Sequence, residues 1–350
     1  MIYVVIYLWS LIIFSLLRIS KYRSLRLAHL VALFPFAAIV ILRGNVGVDT
    51  STYISIVESI PGRDFFDVFI EPIFLIYSRL LLGTGLSPHL IVNILGVLNL
   101  LLLYYAITKI EKQGNLFFLV IYPIFLLDYT MNGLRAGTGV AIFAIAYYQL
   151  VNRHYVSYLV CALLSILSHI SMTFLVALSF IQIDKRARNI MLIITTASIA
   201  SLFLSSTQAV DYITGKYTGY FESDADSIKG ITPAALNIMM STMLYWLARN
   251  RQAIQSIRNT LVVQIILTVL LYILIPYFPW FAARIMWLNL FYACIRSADL
   301  VQKNDAKINH FEFSALLAIG ALGFASHIRQ FLIAPSDLES PFLPYRFIWE

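Results

Sequence analysis

Residues 90–107 read LIVNILGVLNLLLLYYAI, eighteen positions without one charged side chain. Such a run is read as a membrane-spanning helix, because the hydrocarbon core of a bilayer takes roughly 20 mainly apolar residues to cross. Twelve further apolar runs lie around it: Ile2–Leu17, Leu27–Leu42, Pro72–Leu82, Leu116–Tyr129, Leu134–Val151, Tyr155–Ser168, Met172–Ile183, Ile190–Ser206, Pro233–Ala248, Leu261–Pro276, Phe281–Ile295 and Phe311–Ser326. Several are short, so the pattern predicts about 11–13 spans. The fold class is all-α, a polytopic transmembrane helix bundle. No repeat and no composition shift divides the chain, which reads as one integral membrane domain over residues 1–350.

Composition supports this. The chain is 60% hydrophobic and 12% charged, about half the charged fraction of an ordinary soluble domain. The net charge of +7 does not call for nucleic acid, because the basic residues sit in short loops between apolar runs, where they report orientation. Cys161 and Cys294 lie inside apolar stretches, which argues against a disulfide framework. The first apolar run lacks a basic leader and an A-x-A-like site. It is expected to be a retained span rather than a cleaved signal.

The basic loops set the topology. Arg18/Lys21/Arg23/Arg26, Lys109/Lys112, Lys185/Arg186/Arg188, Arg249/Arg251/Arg258 and Lys303/Lys307 are placed in the cytoplasm by the positive-inside rule. The loops 43–70 and 208–232 and the breaks at Asp128–Arg135, Ser168–Ser171 and Pro276–Arg284 then face outward. One stretch resists: two apolar runs lie between Arg43 and Lys109, where an odd number of crossings is needed. Either Pro72–Leu82 is re-entrant, or the Lys109/Lys112 loop is not cytoplasmic. Thr50–Ile60 reads as an amphipathic helix on the membrane. The loop 208–232 carries Tyr212, Tyr217, Tyr220 and Phe221 among charges, which suits either a sugar-binding lid or an interfacial aromatic belt.

Ionisable residues near membrane depth are costly and mark function by default. On this topology Arg43, Asp49, Glu71, Asp128, Asn132, Arg135, His169 and Arg284 share the outer side. Several arginines with a few carboxylates and one histidine suit an anionic phosphate substrate. Each has a plainer reading: Arg43 as a snorkelling arginine, Asp49 as a helix cap, His169 as a structural hydrogen-bonder. Their co-location carries the functional one. No Walker-A loop, dinucleotide fingerprint, zinc-spaced Cys/His cluster or Gly-x-Ser-x-Gly elbow occurs. No cofactor and no metal is therefore expected.

Arg43-Gly44-x-x-Gly47-x-Asp49-x-x-x-Tyr53 directly after the second span, followed by Glu71-Pro72, resembles the opening of EpsG-like, Wzy-type polysaccharide polymerases. Asn132-x-x-Arg135, Ser168-His169-x-Ser171 and Arg284 follow in the family's order over about 240 residues. Ala136 departs from the pattern, which has Gln after the arginine. The resemblance implies a GT-C-like glycosyltransferase of the bacterial inner membrane. It would join undecaprenyl-diphosphate-linked oligosaccharide units into O-antigen, capsule or exopolysaccharide at the outer face. It further implies that Arg43, Arg135 and Arg284 hold the diphosphate, and that Asp49 or His169 is the base with Glu71 in reserve. Tyr53 and Asn132 would touch substrate. Membrane lipids, a chain-length regulator and a flippase would be its partners. A ligase, a flippase of lipid-linked oligosaccharide and an acyltransferase are the rival readings.

Overall fold

The computed structural model describes residues 2–19, 26–62, 71–182, 231–303, 308–332 and 342–349. Among them every regular element is a helix; the one extended contact is an isolated bridge between Arg43 and Phe347. The α-helices are α1 (Ile2–Ile19), α2 (Arg26–Ile41), α3 (Thr50–Ser59), α4 (Pro72–Leu82), α5 (Pro88–Ile110), α6 (Tyr122–Leu127), α7 (Leu134–Val151), α8 (Tyr155–Ser168), α9 (Met172–Ser179), α10 (Ile231–Asn250), α11 (Ile254–Leu274), α12 (Pro279–Lys303) and α13 (His310–Leu332).

Six of these helices are long and apolar enough to cross a membrane: α1, α5, α7, α10, α11 and α13. At about 1.5 Å per residue, an 18–23-residue helix spans about 27–35 Å, the thickness of the hydrocarbon core. Their outer faces fit lipid. Val262, Ile265, Ile266, Val269, Leu270 and Ile273 all protrude from α11, a larger apolar surface than a water-soluble monomer usually leaves open. The chain is a polytopic helical membrane protein. The predicted span Leu134–Val151 is found with those bounds; Tyr155–Ser168 is a helix with the predicted bounds but a shorter one than the six above, and both described cysteines are free thiols.

Local sequence explains the ends that matter. Pro72 and Pro88 each open a helix at its first turn, where a missing N–H costs nothing. Ser87 accepts the Leu90 amide at 3.3 Å. The expected span Leu116–Tyr129 runs on to Asn132, with π-helical turns at Phe117–Ile121 and Asp128–Asn132 flanking α6. Within the break predicted at Asp128–Arg135 the interruption falls at Gly133, whose amide reaches the Asp128 carbonyl at 2.7 Å. A π turn offsets the side chains after it, and such turns gather at functional sites. The α7 helix packs closely against α5 and this π turn. A Cβ at Gly137 would come within 2.8 Å of Asn99 Nδ2 and also meet the Tyr129 carbonyl, so only glycine fits. Thr50–Ser59 is helical, as expected. The expected span Ile190–Ser206 and the loop 208–232 lie outside the described residues.

Candidate active site

Four of the residues singled out in the sequence meet in one chain of contacts. Glu71 is the residue before Pro72, which holds its backbone extended (φ −56°, ψ 131°) ahead of α4. His169 occupies the extended break (φ −164°, ψ 126°) between α8 and α9. Arg135 is the second residue of α7, and Arg284 lies in the first turns of α12. Thus four separate segments supply the four side chains.

The Glu71 carboxylate is 6% exposed and has a partner at each oxygen. Its Oε2 pairs with Arg135 Nη1. Its Oε1 accepts from His169 Nδ1 at 2.8 Å. On the far side of the ring, Arg284 Nη1 lies 3.4 Å from His169 Nε2. A guanidinium can only donate, so Nε2 is the accepting nitrogen and Nδ1 carries the proton. One tautomer satisfies both contacts: a neutral imidazole, oriented by a carboxylate, with its lone pair facing Arg284.

His169 and Arg284, with Ser171 and Thr173, are the polar lining of a cavity of about 330 Å³. The rest of the lining is apolar: Ile170 just before α9, Phe174 of α9, Leu267 and Leu271 from α11, and Trp280, Phe281 and Ile285 from α12. The space suits an amphiphile with an anionic end and a hydrocarbon body.

The remaining candidates surround this relay. The Arg135 guanidinium lies over the Tyr53 ring, 5.5 Å from its centroid. Asp49 sits at the N-cap position of α3 but makes no capping hydrogen bond, so the plain cap reading is not what its side chain does. Burial pushes its carboxyl above the ordinary carboxylate range; Arg135 and Arg284 pull it down and Asp128 adds to the rise. Asn132 Oδ1 accepts the Val48 amide at 2.9 Å, and its Nδ2 donates to Asp128 Oδ1 at 3.3 Å. Gly47 makes this turn at φ +111°, where a Cβ would meet Thr50 Oγ1 at 2.9 Å.

Arg43 is placed differently from its three companions. It is 0% exposed, and its Nε donates to Asn93 Oδ1 at 2.9 Å. Its Nη1 and Nη2 have no hydrogen-bond partner among the described residues. Tyr3, Tyr345 and Tyr53 are its electrostatic neighbours. The segment 342–349 covers it: Gly44 donates to the Arg346 carbonyl and Ile348 to the Leu42 carbonyl, each at 2.8 Å. Arg43 is thus a buried cation beside the site, whereas Arg135 and Arg284 line the relay itself.

Sequence reasoning passed over Asn93, which holds both Arg43 Nε and the Arg43 carbonyl. An asparagine inside an otherwise apolar run was the available signal. It also passed over His327, near the end of α13, and the apolar wall of the cavity.

Fold and site together define a multi-pass helical membrane protein in which a buried carboxylate–histidine pair, flanked by the part-buried Arg135 and the exposed Arg284, stands beside a largely apolar cavity. The EpsG family profile matches residues 26–347, and the chain belongs to the EpsG family. No curated protein and no solved structure matches the chain.

Proposed function

We propose that the protein is a membrane glycosyltransferase that polymerises oligosaccharide repeat units carried on undecaprenyl diphosphate, at the outer face of the bacterial inner membrane. Membership of the EpsG family supports a polymerase of the exopolysaccharide type. The observation that carries the chemistry is the relay whose His169 and Arg284 line a largely apolar cavity. Arg135, Glu71, His169 and Arg284 lie in line, with hydrocarbon-compatible walls beyond His169 and Arg284.

The reaction follows from these positions. The acceptor sugar hydroxyl gives its proton to His169 Nε2, the accepting nitrogen. Its oxygen bonds to the anomeric carbon of the donor, and the bond from that carbon to the diphosphate oxygen breaks. The electron pair leaves with the lipid diphosphate. Arg284, and Arg135 behind it, neutralise the charge that develops there. Preorganised cations aimed at developing charge are usually the largest catalytic contribution. Glu71 holds the ring in its productive tautomer and stabilises the imidazolium formed. This reading makes His169 the base and Glu71 its orienter, with Asp49 as a contact to the incoming sugar. Arg43 adds positive potential from behind Tyr53 rather than a direct contact. The cavity seats the start of the donor's hydrocarbon chain, so both reactants are held at one height and collision entropy is removed in advance.

The test is elongation by purified protein in nanodiscs, given the lipid-diphosphate repeat unit of the host strain. Wild type should yield a ladder of products. His169→Ala and Arg284→Ala should lose it while keeping their size-exclusion profile. Lipid-linked sugar that crosses a liposome bilayer without elongating would replace this reading by transport.

A further inference from the structure

A second polar chain approaches the site from α13. His327 is 4% exposed. Its Nε2 donates to the Ile124 carbonyl at 2.7 Å. Its ring stacks on Trp287 of α12, with centroids 5.6 Å apart and planes 24° apart. Its Nδ1 stands 3.8 Å from Asp128 Oδ2. Asp128 opens the π-helical turn Asp128–Asn132. Its other oxygen, Oδ1, accepts from Asn132 Nδ2 at 3.3 Å, and Asn132 Oδ1 accepts the Val48 amide at 2.9 Å. The next residue is Asp49, whose electrostatic neighbours are Arg135, Arg284 and Asp128.

The direction of each link is dictated by donor and acceptor chemistry. A carboxylate only accepts, so the Asn132 amide must turn its NH₂ toward Asp128. Its carbonyl oxygen is then aimed at Val48. Without an acceptor at position 128 the amide can rotate, and the Val48 N–H loses its partner. Asp128 and Asn132 stand four residues apart, which puts them on one side of the helix end. His327 donates from Nε2 to a backbone carbonyl and stacks on Trp287, so it stands beside Asp128 without a hydrogen bond to it. None of these residues belongs to the Arg135–Glu71–His169–Arg284 relay.

We propose that Asp128 is a positioning residue: it locks the Asn132 amide, which holds the Val48–Asp49 turn beside the site. The proposal rests on the polymerase reading for its kinetic consequence, but not for its structural one. Small displacements of a contacting group can cost about 10²-fold in rate. Asp128→Ala should therefore lower kcat by about 10–100-fold, with KM for the lipid-linked unit changed less than about twofold. Asp128→Asn retains an oxygen that can accept from Asn132, and should recover most of that loss.

The deciding experiment pairs elongation kinetics with hydrogen exchange of the peptide spanning Val48, on the full chain in nanodiscs. Faster Val48 exchange in Asp128→Ala, restored in Asp128→Asn together with kcat, is the expected result. Lower kcat with Val48 exchange unchanged would overturn the proposal, because Asp128 would then act directly. Asp128→Asn as damaging as Asp128→Ala would also overturn it, since charge rather than amide orientation would matter. If Asp128→Ala cannot be purified, Asn132→Ala cuts the same chain one link nearer Val48 and takes the same readouts. If wild type fails to elongate at all, the polymerase reading falls, while the exchange comparison still decides the positioning claim.

Discussion

Glu71→Gln is the sharpest perturbation of the relay. The replacement is nearly isosteric, so packing around this buried side chain changes little. The chemistry changes at both ends. Arg135 only donates, so the introduced amide must present its oxygen there. Its NH₂ then faces His169 Nδ1 across the 2.8 Å contact. Two donors cannot share that contact, so Nδ1 gives up its proton and Nε2 takes it. The lone pair that should receive the acceptor's proton is gone, and Nε2–H now points at Arg284 Nη1, 3.4 Å away in the native arrangement. A wrong histidine tautomer with intact geometry costs about 10⁴-fold in a serine protease. Here a fall in kcat of about 10³–10⁴ is expected, about 4–5.5 kcal/mol in the barrier. The assay is single-turnover elongation of a labelled lipid-linked unit in nanodiscs, with thermal unfolding as the folding control. Retention of more than about a tenth of wild-type rate would refute the tautomer argument.

Other outcomes follow from the same geometry. Arg284→Ala should lower kcat by about 10²–10³ through loss of a preorganised cation, read in the same elongation assay. Leu271→Trp narrows the apolar cavity and should raise KM for the lipid-linked donor roughly tenfold, about 1.4 kcal/mol of binding, with kcat little changed. Because burial raises the Asp49 carboxyl in the folded state, its ionised form destabilises the fold at neutral pH. Asp49→Asn should therefore raise the unfolding temperature at neutral pH. That gain should shrink as pH falls through the folded-state pKa toward the ordinary carboxylate value, as thermal scans across pH would show. A Cβ at Gly44 would meet the Phe347 carbonyl oxygen at 2.6 Å. Gly44→Ala should release the segment 342–349 and speed proteolysis of the C-terminus.

Much of the helix layout was legible in the sequence, for identifiable reasons. Runs such as Leu134–Val151 end at residues that stop a helix on both sides, so their bounds could be read directly. Ser87-Pro88 and Glu71-Pro72 also start helices by local chemistry alone. The π turns could not be read, because a shift from i+4 to i+5 hydrogen bonding leaves an all-apolar run looking the same. Loop charge placed Glu71, Arg135, His169 and Arg284 on one side. It could not say that one carboxylate bridges an arginine and a histidine, since that depends on how four distant segments pack. Arg43 illustrates the limit most clearly. Its motif position suggested a site arginine, but its burial under residues 342–349 depends on a chain segment some 300 residues away. His327 was passed over because a histidine at the end of an apolar run has no local signature.

The central claim is that this relay drives elongation of lipid-linked glycan. Purified wild type and His169→Ala, each given the host's lipid-diphosphate repeat unit and resolved on a gel, test it most directly. The account predicts a ladder of increasing length from wild type and none from the folded variant. An undiminished ladder from His169→Ala would contradict the mechanism, and no ladder from active, folded wild type would contradict the function.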